Sequence, residues 1–101
     1  MPFPSLFSWW RKPALGHLHV QMYTRQGCHL CAVAREQLQA AQRRHGFRLS
    51  IVDVDSDSEL AARHGDEVPV VMVDGKVRFH GRVNEVLLNR LLRAEAARKT
   101  S

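Results

Sequence analysis

Val70-Val71-Met72-Val73 restricts the fold of this chain more than any other segment. So short and unbroken an apolar run is the mark of a strand buried in the middle of a sheet. Asp74-Gly75 behind it is a two-residue hairpin turn, and Val77 to Phe79 returns antiparallel. Upstream, Leu18, Val20 and Met22 alternate with His19, Gln21 and Tyr23, which predicts a first strand ending near Thr24. Gly27 makes a turn, and the period then changes. Leu30, Val33, Ala34, Leu38 and Ala41 follow helical spacing from Cys28 onward, with His45-Gly46 as the stop. Phe47 to Val54 reads as a second strand. Ser56 and Glu59 form an expected capping box for a short helix that Gly65 ends. Asn84 is placed to cap a last helix, with Leu87, Leu88, Leu91 and Leu92 as one apolar face against Arg90 and Arg93. The order is β-α-β-α-β-β-α, an α/β chain with no internal repeat.

At 101 residues, 45% of them hydrophobic and 25% charged, the chain suits one domain with a modest but sufficient core. Prolines at positions 2, 4 and 13, followed by Gly16, set off residues 1–16 as an N-terminal arm from a domain at 17–101. Within the arm, Ser5 can cap a short helix that puts Leu6, Trp9 and Trp10 on one face. That face packs onto the domain or is partly disordered, or else it meets a partner or membrane, because adjacent tryptophans are costly to leave in water. The arm lacks the basic start, unbroken apolar stretch and small-residue cleavage site of a signal peptide. No stretch is long enough to cross a bilayer, so the expectation is a cytoplasmic monomer without a membrane span. The formal charge is +5, but the arginines are scattered and no basic run is interleaved with stacking aromatics. They read as a solvated surface, and nucleic acid is not an expected partner.

The chain has two cysteines, Cys28 and Cys31. A crosslink of that span closes almost no loop and removes little entropy from the unfolded chain, so reactivity explains the pair better than structure. At the first turn of a helix, unpaired N–H groups and the positive end of the helix dipole favour a thiolate. Residues at i and i+3 share a helix face within bridging reach, which predicts a reversible Cys28–Cys31 disulfide. Cys28 is the exposed attacker in this reading and Cys31 the deeper resolving thiol. His29 either adds positive charge beside the thiolate or points into water. Half of a zinc site and a chance pair of helix cysteines are the competing readings. Zinc wants four ligands, whereas no further cysteine exists and the six histidines show no His-X₃₋₅-His spacing after the pair. No metal is expected. Asp53 and Asp55 are read as strand-end solvation and helix entry.

Tyr23-Thr24-Arg25-Gln26-Gly27-Cys28-His29-Leu30-Cys31 at a strand-to-helix junction resembles the start of a glutaredoxin. Val68-Pro69 before the apolar run is similar to the cis-proline element of that family, and Asp74-Gly75 and Gly81-Arg82-Val83-Asn84 to its hairpin and glycine turn. The resemblance covers about residues 18–95, and the leucine before the second cysteine points to the glutaredoxin-like branch. It implies a thioredoxin-like fold in its minimal form, a mixed four-stranded sheet flanked by helices. It also implies thiol–disulfide exchange through Cys28 and Cys31, with glutathione or a disulfide-bearing protein as partner and no tightly bound cofactor. In the family pattern Pro69 is cis and faces the cysteines, freeing the Val68 backbone to pair with a bound peptide or glutathione as an added strand.

Carried over residue by residue, Arg25 matches a basic position that meets a glutathione carboxylate. Gly81 matches the first glycine of the usual pair, and Asn84 stands where the glutathione amino end is received. Several positions depart from the pattern. Arg82 replaces the second glycine, His29-Leu30 replaces a proline-tyrosine middle, and Asp66 and Glu67 bring negative charge towards the site. The expectation is a mixed disulfide with glutathione at Cys28 but weak non-covalent recognition. Two other classes stay open: an iron–sulfur cluster carrier using Cys28 and glutathione between two subunits, and a non-catalytic binding adapter that uses the aromatic arm.

Overall fold

The computed structural model describes residues 15–100, with side chains to residue 98. The arm's aromatic residues therefore lie outside the described residues. The elements are β1 (His19–Thr24), α1 (His29–His45), β2 (Arg48–Asp53), a 3₁₀ turn (Val54–Ser56), α2 (Ser58–His64), β3 (Val70–Val73), β4 (Lys76–His80) and α3 (Glu85–Thr100). They form the α/β thioredoxin fold that the resemblance implies, a mixed sheet in the order β2-β1-β3-β4. β1 runs parallel to β2 and antiparallel to β3, and β3 to β4 is antiparallel with a bulge between Val71 and Met72. The apolar run is interior because β3 has a partner on both sides. The Asp74-Gly75 turn follows from its residues, with φ of 48° and 85°, the left-handed values that a tight hairpin of this kind requires.

Alternation along β1 decides which face becomes core. Val20 and Met22 are fully buried, together with Cys31, Ala34, Leu38 and Ala41 of α1 and Leu88 and Leu92 of α3. α1 and α3 thus cover one face of the sheet. Tyr23, of opposite parity, meets the ring of His64 at 4.9 Å, which puts α2 on the other face. α2 has no buried residue of its own and rests on the 3₁₀ turn. Leu15, which the proline spacing assigns to the arm, is fully buried, and its N–H donates to His45 O at 3.3 Å. Among the described residues no helix is long and apolar enough to cross a membrane.

Two local expectations are corrected. Ser56 does not cap α2: its hydroxyl donates to Asp53 O at 2.6 Å within the 3₁₀ turn, and Asp57 caps instead, its carboxylate accepting the Glu59 N–H at 2.8 Å. The aspartate wins because the extra turn moves the helix start along the chain. In α3 the apolar face is narrower than the leucine spacing implies. Leu88 and Leu92 are buried, whereas Leu87 is 48% exposed. Asn84 does cap α3, its Oδ1 accepting the Leu87 N–H at 3.0 Å.

Candidate functional site

The first turn of α1 places the cysteines. Gly27, at φ 77°, turns the chain out of β1, and Cys28 takes extended geometry as the N-cap residue of the helix. Its Sγ accepts the Cys31 N–H at 3.2 Å. An N-cap acceptor satisfies one of the orphan donors of the helix start, and here a sulfur does what a serine or aspartate oxygen usually does. Any negative charge on that sulfur is met by the N–H and by the positive end of the 17-residue helix. Cys28 and Cys31 are joined as a disulfide, with Cα atoms 5.2 Å apart. Cys31 is 2% exposed, whereas Cys28 is only partly buried, so Cys28 is the more accessible member of the pair.

Val68 and Pro69 arrive at the same end of the sheet, because β3 pairs antiparallel with β1 and Val70 stands opposite Tyr23. The Val68–Pro69 peptide bond is cis. Val68 and Cys28 both pack against the one core cluster. The Gly81 N–H, at φ 78°, donates to Glu67 O at 3.1 Å and Pro69 O at 2.9 Å, clasping the segment in front of β3. Neither the N–H nor the C=O of Val68 is used by these turn bonds. Gln37 of α1 donates from Nε2 to Val83 O at 3.2 Å, so the Gly81–Asn84 loop is tied to the helix that carries the cysteines. Arg82 and Asn84 are exposed, and the Asn84 side chain is engaged in its cap. His29 is exposed and Leu30 half-buried.

Arg25 is more constrained than its sequence context implies. Its Nε and Nη2 donate to the two carboxylate oxygens of Asp55 at 3.1 and 3.0 Å, and Nη1 donates to Gly65 O at 3.2 Å. The hydrogen bond and charge of Asp55 raise the Arg25 pKa, with smaller contributions from Asp66 and Asp53. Bidentate guanidinium–carboxylate pairs hold geometry better than single contacts. The guanidinium thereby fastens the 3₁₀ turn and the end of α2 to the loop before Cys28. Asp55, read from the sequence as strand-end solvation or helix entry, instead holds Arg25, a role the sequence did not reveal. Only its distance from Arg25 in space assigns its role, since the two are 30 positions apart. Asp53 matches its expected helix-entry role, its Oδ1 accepting the Asp55 N–H at 2.9 Å.

Gly65 is buried beneath this clamp, and a Cβ there would lie 2.7 Å from Arg25 Nη2 and also against the Ala61 carbonyl. Gly65→Ala is therefore expected to displace Arg25 and to destabilise the chain by about 1–3 kcal/mol, the usual cost of overpacking. Urea unfolding measures it, and an unchanged midpoint would refute the clamp as described.

A model of the glutaredoxin-like domain (DUF836) matches residues 19–93. An uncharacterized protein of Mycobacterium tuberculosis is 36% identical over 86 residues, covering 80% of this chain and 84% of its own length. A glutaredoxin-like protein of Dictyostelium discoideum is 32% identical over 74 residues, covering 67% and 68%. Among solved structures, a Nitrosomonas europaea protein aligns with a TM-score of 0.64 at 24% identity, covering 80% of this chain and 93% of that one. The thioredoxin of Fasciola hepatica aligns at 0.57 and 22%, covering 92% and 90%, and shares the fold. With the paired cysteines at the helix start and the cis proline at the head of β3, the chain belongs to the glutaredoxin-like (DUF836) family.

Proposed function

We propose that the chain is a thiol–disulfide oxidoreductase working through Cys28 and Cys31. The observation that carries this reading is the N-cap position of Cys28, whose sulfur accepts a backbone N–H and stands within bonding reach of a buried second cysteine. In the reduced chain the Cys28 thiolate attacks one sulfur of a substrate disulfide. A mixed disulfide forms at Cys28, and the other substrate sulfur leaves as a thiolate that takes up a proton. Cys31, deprotonated in turn, attacks the Cys28 sulfur, releases the second substrate thiol and closes the Cys28–Cys31 bond. Two electrons pass from the dithiol to the substrate. A thiol donor such as glutathione restores the dithiol by the reverse exchange, through its own mixed disulfide at Cys28. The reading places the chain in a reducing compartment such as the cytoplasm, where such pairs cycle instead of staying locked.

The Val68 backbone and the Gly81–Asn84 loop form the substrate-facing rim in this reading. Val68 offers its main chain to an extended cysteine-containing segment as an added strand. Glutathione is recognised weakly, because Arg25 is already occupied by Asp55, Asn84 by the α3 cap, and Arg82 projects a side chain where the family has glycine. Reduction of hydroxyethyl disulfide by the chain with a glutathione-recycling system tests the activity, and no turnover above the protein-free rate refutes it.

Thiolate stabilisation is tested separately. In the reduced Cys31→Ser variant, the rate of iodoacetamide alkylation at Cys28 should rise with a midpoint below the ordinary cysteine value of about 8.5. The sign follows from the N–H and helix dipole, which favour the charged sulfur over the neutral thiol. A midpoint at or above the ordinary value removes the argument from the N-cap.

A further inference from the structure

A cavity of about 450 Å³ opens beside the disulfide, and its wall includes Arg25, Cys28, Cys31, Arg35, Ile51 and Asp53. Ile51 and Asp53 belong to β2, on the far side of β1 from β3, so the cavity faces away from Val68 and Pro69. It is a second approach to the cysteine pair, distinct from the rim formed by Val68, Pro69 and the Gly81 loop.

Its two guanidinium groups are in different states. Arg25 is committed to Asp55 and to the Gly65 carbonyl. Arg35 is exposed and makes no hydrogen bond or ion pair with any described residue. The acidic groups cluster on the Arg25 side. Asp53 and Asp55 both act on Arg25, and Asp53 lies outside ion-pair distance of Arg35 although the two share the cavity. Arg35 is thus the uncompensated positive charge of this wall.

Its place on α1 puts it in the same cavity wall as the cysteines. Arg35 follows Cys31 by one helical turn on the same face. Helix side chains lean towards the N-terminus, so a long side chain covers the turn before its own Cα, and here that turn carries Cys31. A free guanidinium in such a position offers fork geometry to a carboxylate.

We infer that this cavity is a carboxylate subsite, with Arg35 as its receptor, for disulfide substrates that bear an acidic group a few bonds from the sulfur. The inference rests on the proposed exchange reaction at Cys28 and names the substrate class it favours. Arg25, the basic residue that family resemblance marks for this task, is in this chain a structural clamp.

The test compares two disulfide reagents against the fully reduced chain: dithiobis(nitrobenzoate), which carries carboxylates, and neutral dithiodipyridine. Initial second-order rates of chromophore release give a charged-to-neutral ratio for each protein. The ratio should fall about five-fold in Arg35→Gln, as expected for losing one charge at several ångströms in an intermediate dielectric. It should be largely rescued in Arg35→Lys, which keeps the charge. Added salt should erode the ratio in the parent chain more than in Arg35→Gln. Arg25→Gln should lower the ratio less than Arg35→Gln does. Equal ratios for the parent chain and Arg35→Gln, or the larger loss in Arg25→Gln, overturn the inference while leaving the exchange reaction standing. Failure of reduced Cys28 to react even with dithiodipyridine strikes the exchange reading itself, and the subsite with it.

Discussion

Cys28→Ser should bring disulfide reduction down to the protein-free background, whereas Cys31→Ser should allow the first half of the reaction and block the second. The asymmetry follows from burial. Cys28 is the partly exposed member of the pair, and Cys31 is 2% exposed. In the proposed exchange a substrate disulfide meets the more exposed Cys28 first, and an alcohol in its place is neither ionised near neutral pH nor comparably nucleophilic towards sulfur. With Cys31 replaced, nothing within reach attacks the Cys28 sulfur, and the mixed disulfide persists until an external thiol resolves it. Intact-mass measurement after exposure to oxidised glutathione separates the cases. The Cys31→Ser chain should carry one glutathione adduct, the Cys28→Ser chain none, and the parent chain should instead lose two hydrogens on forming its internal bond. An adduct on Cys31 in the Cys28→Ser chain would reverse the assignment of attacker and resolver.

The second large effect is expected at Leu38, which belongs to the helix that carries the cysteines but lies along it from the pair. Leu38 is fully buried on the stripe formed with Cys31, Ala34 and Ala41, the face that seats α1 on the sheet. Leu38→Ala removes that contact and leaves a cavity, costing about 2–5 kcal/mol. Against a total stability of about 5–15 kcal/mol this is a large share. Thermal unfolding followed by circular dichroism should show the midpoint lowered by roughly 10–25 °C for a domain of this size. Leu87→Ala serves as the comparison: its side chain is 48% exposed, and the expected loss is about 1 kcal/mol or less. Comparable losses at the two positions would contradict the burial pattern and restore the broader apolar face that the leucine spacing implies.

That comparison marks the boundary between what was legible in the sequence and what was not. Periodicity is a local property. The alternation from Leu18 to Tyr23, the apolar run at Val70 to Val73, the Asp74-Gly75 turn and the Gly46 helix stop each act within a few residues of themselves, and each is present in the structure. The chemistry of the cysteine pair is local for the same reason: Cys28 caps the helix that contains Cys31, and its sulfur takes the Cys31 N–H. Ser56 against Asp57 was decided within a few residues too, but by a 3₁₀ turn that simple spacing does not reveal.

Other features needed the folded chain, because they join residues remote in sequence. Leu87 carries the same side chain as Leu88, and only the way α3 packs on the core exposes one and buries the other. Gln37 meets Val83 only because the chain returns across α1. Arg25 looks in sequence like an available cation three residues before Cys28 and Arg35 like one more surface arginine. Tertiary structure exchanges their roles by bringing Asp55 and Gly65 to the first and, among the described residues, no hydrogen-bond or ion-pair partner to the second. A charge's identity is written in the sequence, but whether it is free depends on what lies within hydrogen-bonding distance. The electrostatic character of the wall beside the disulfide was therefore settled only by the tertiary fold.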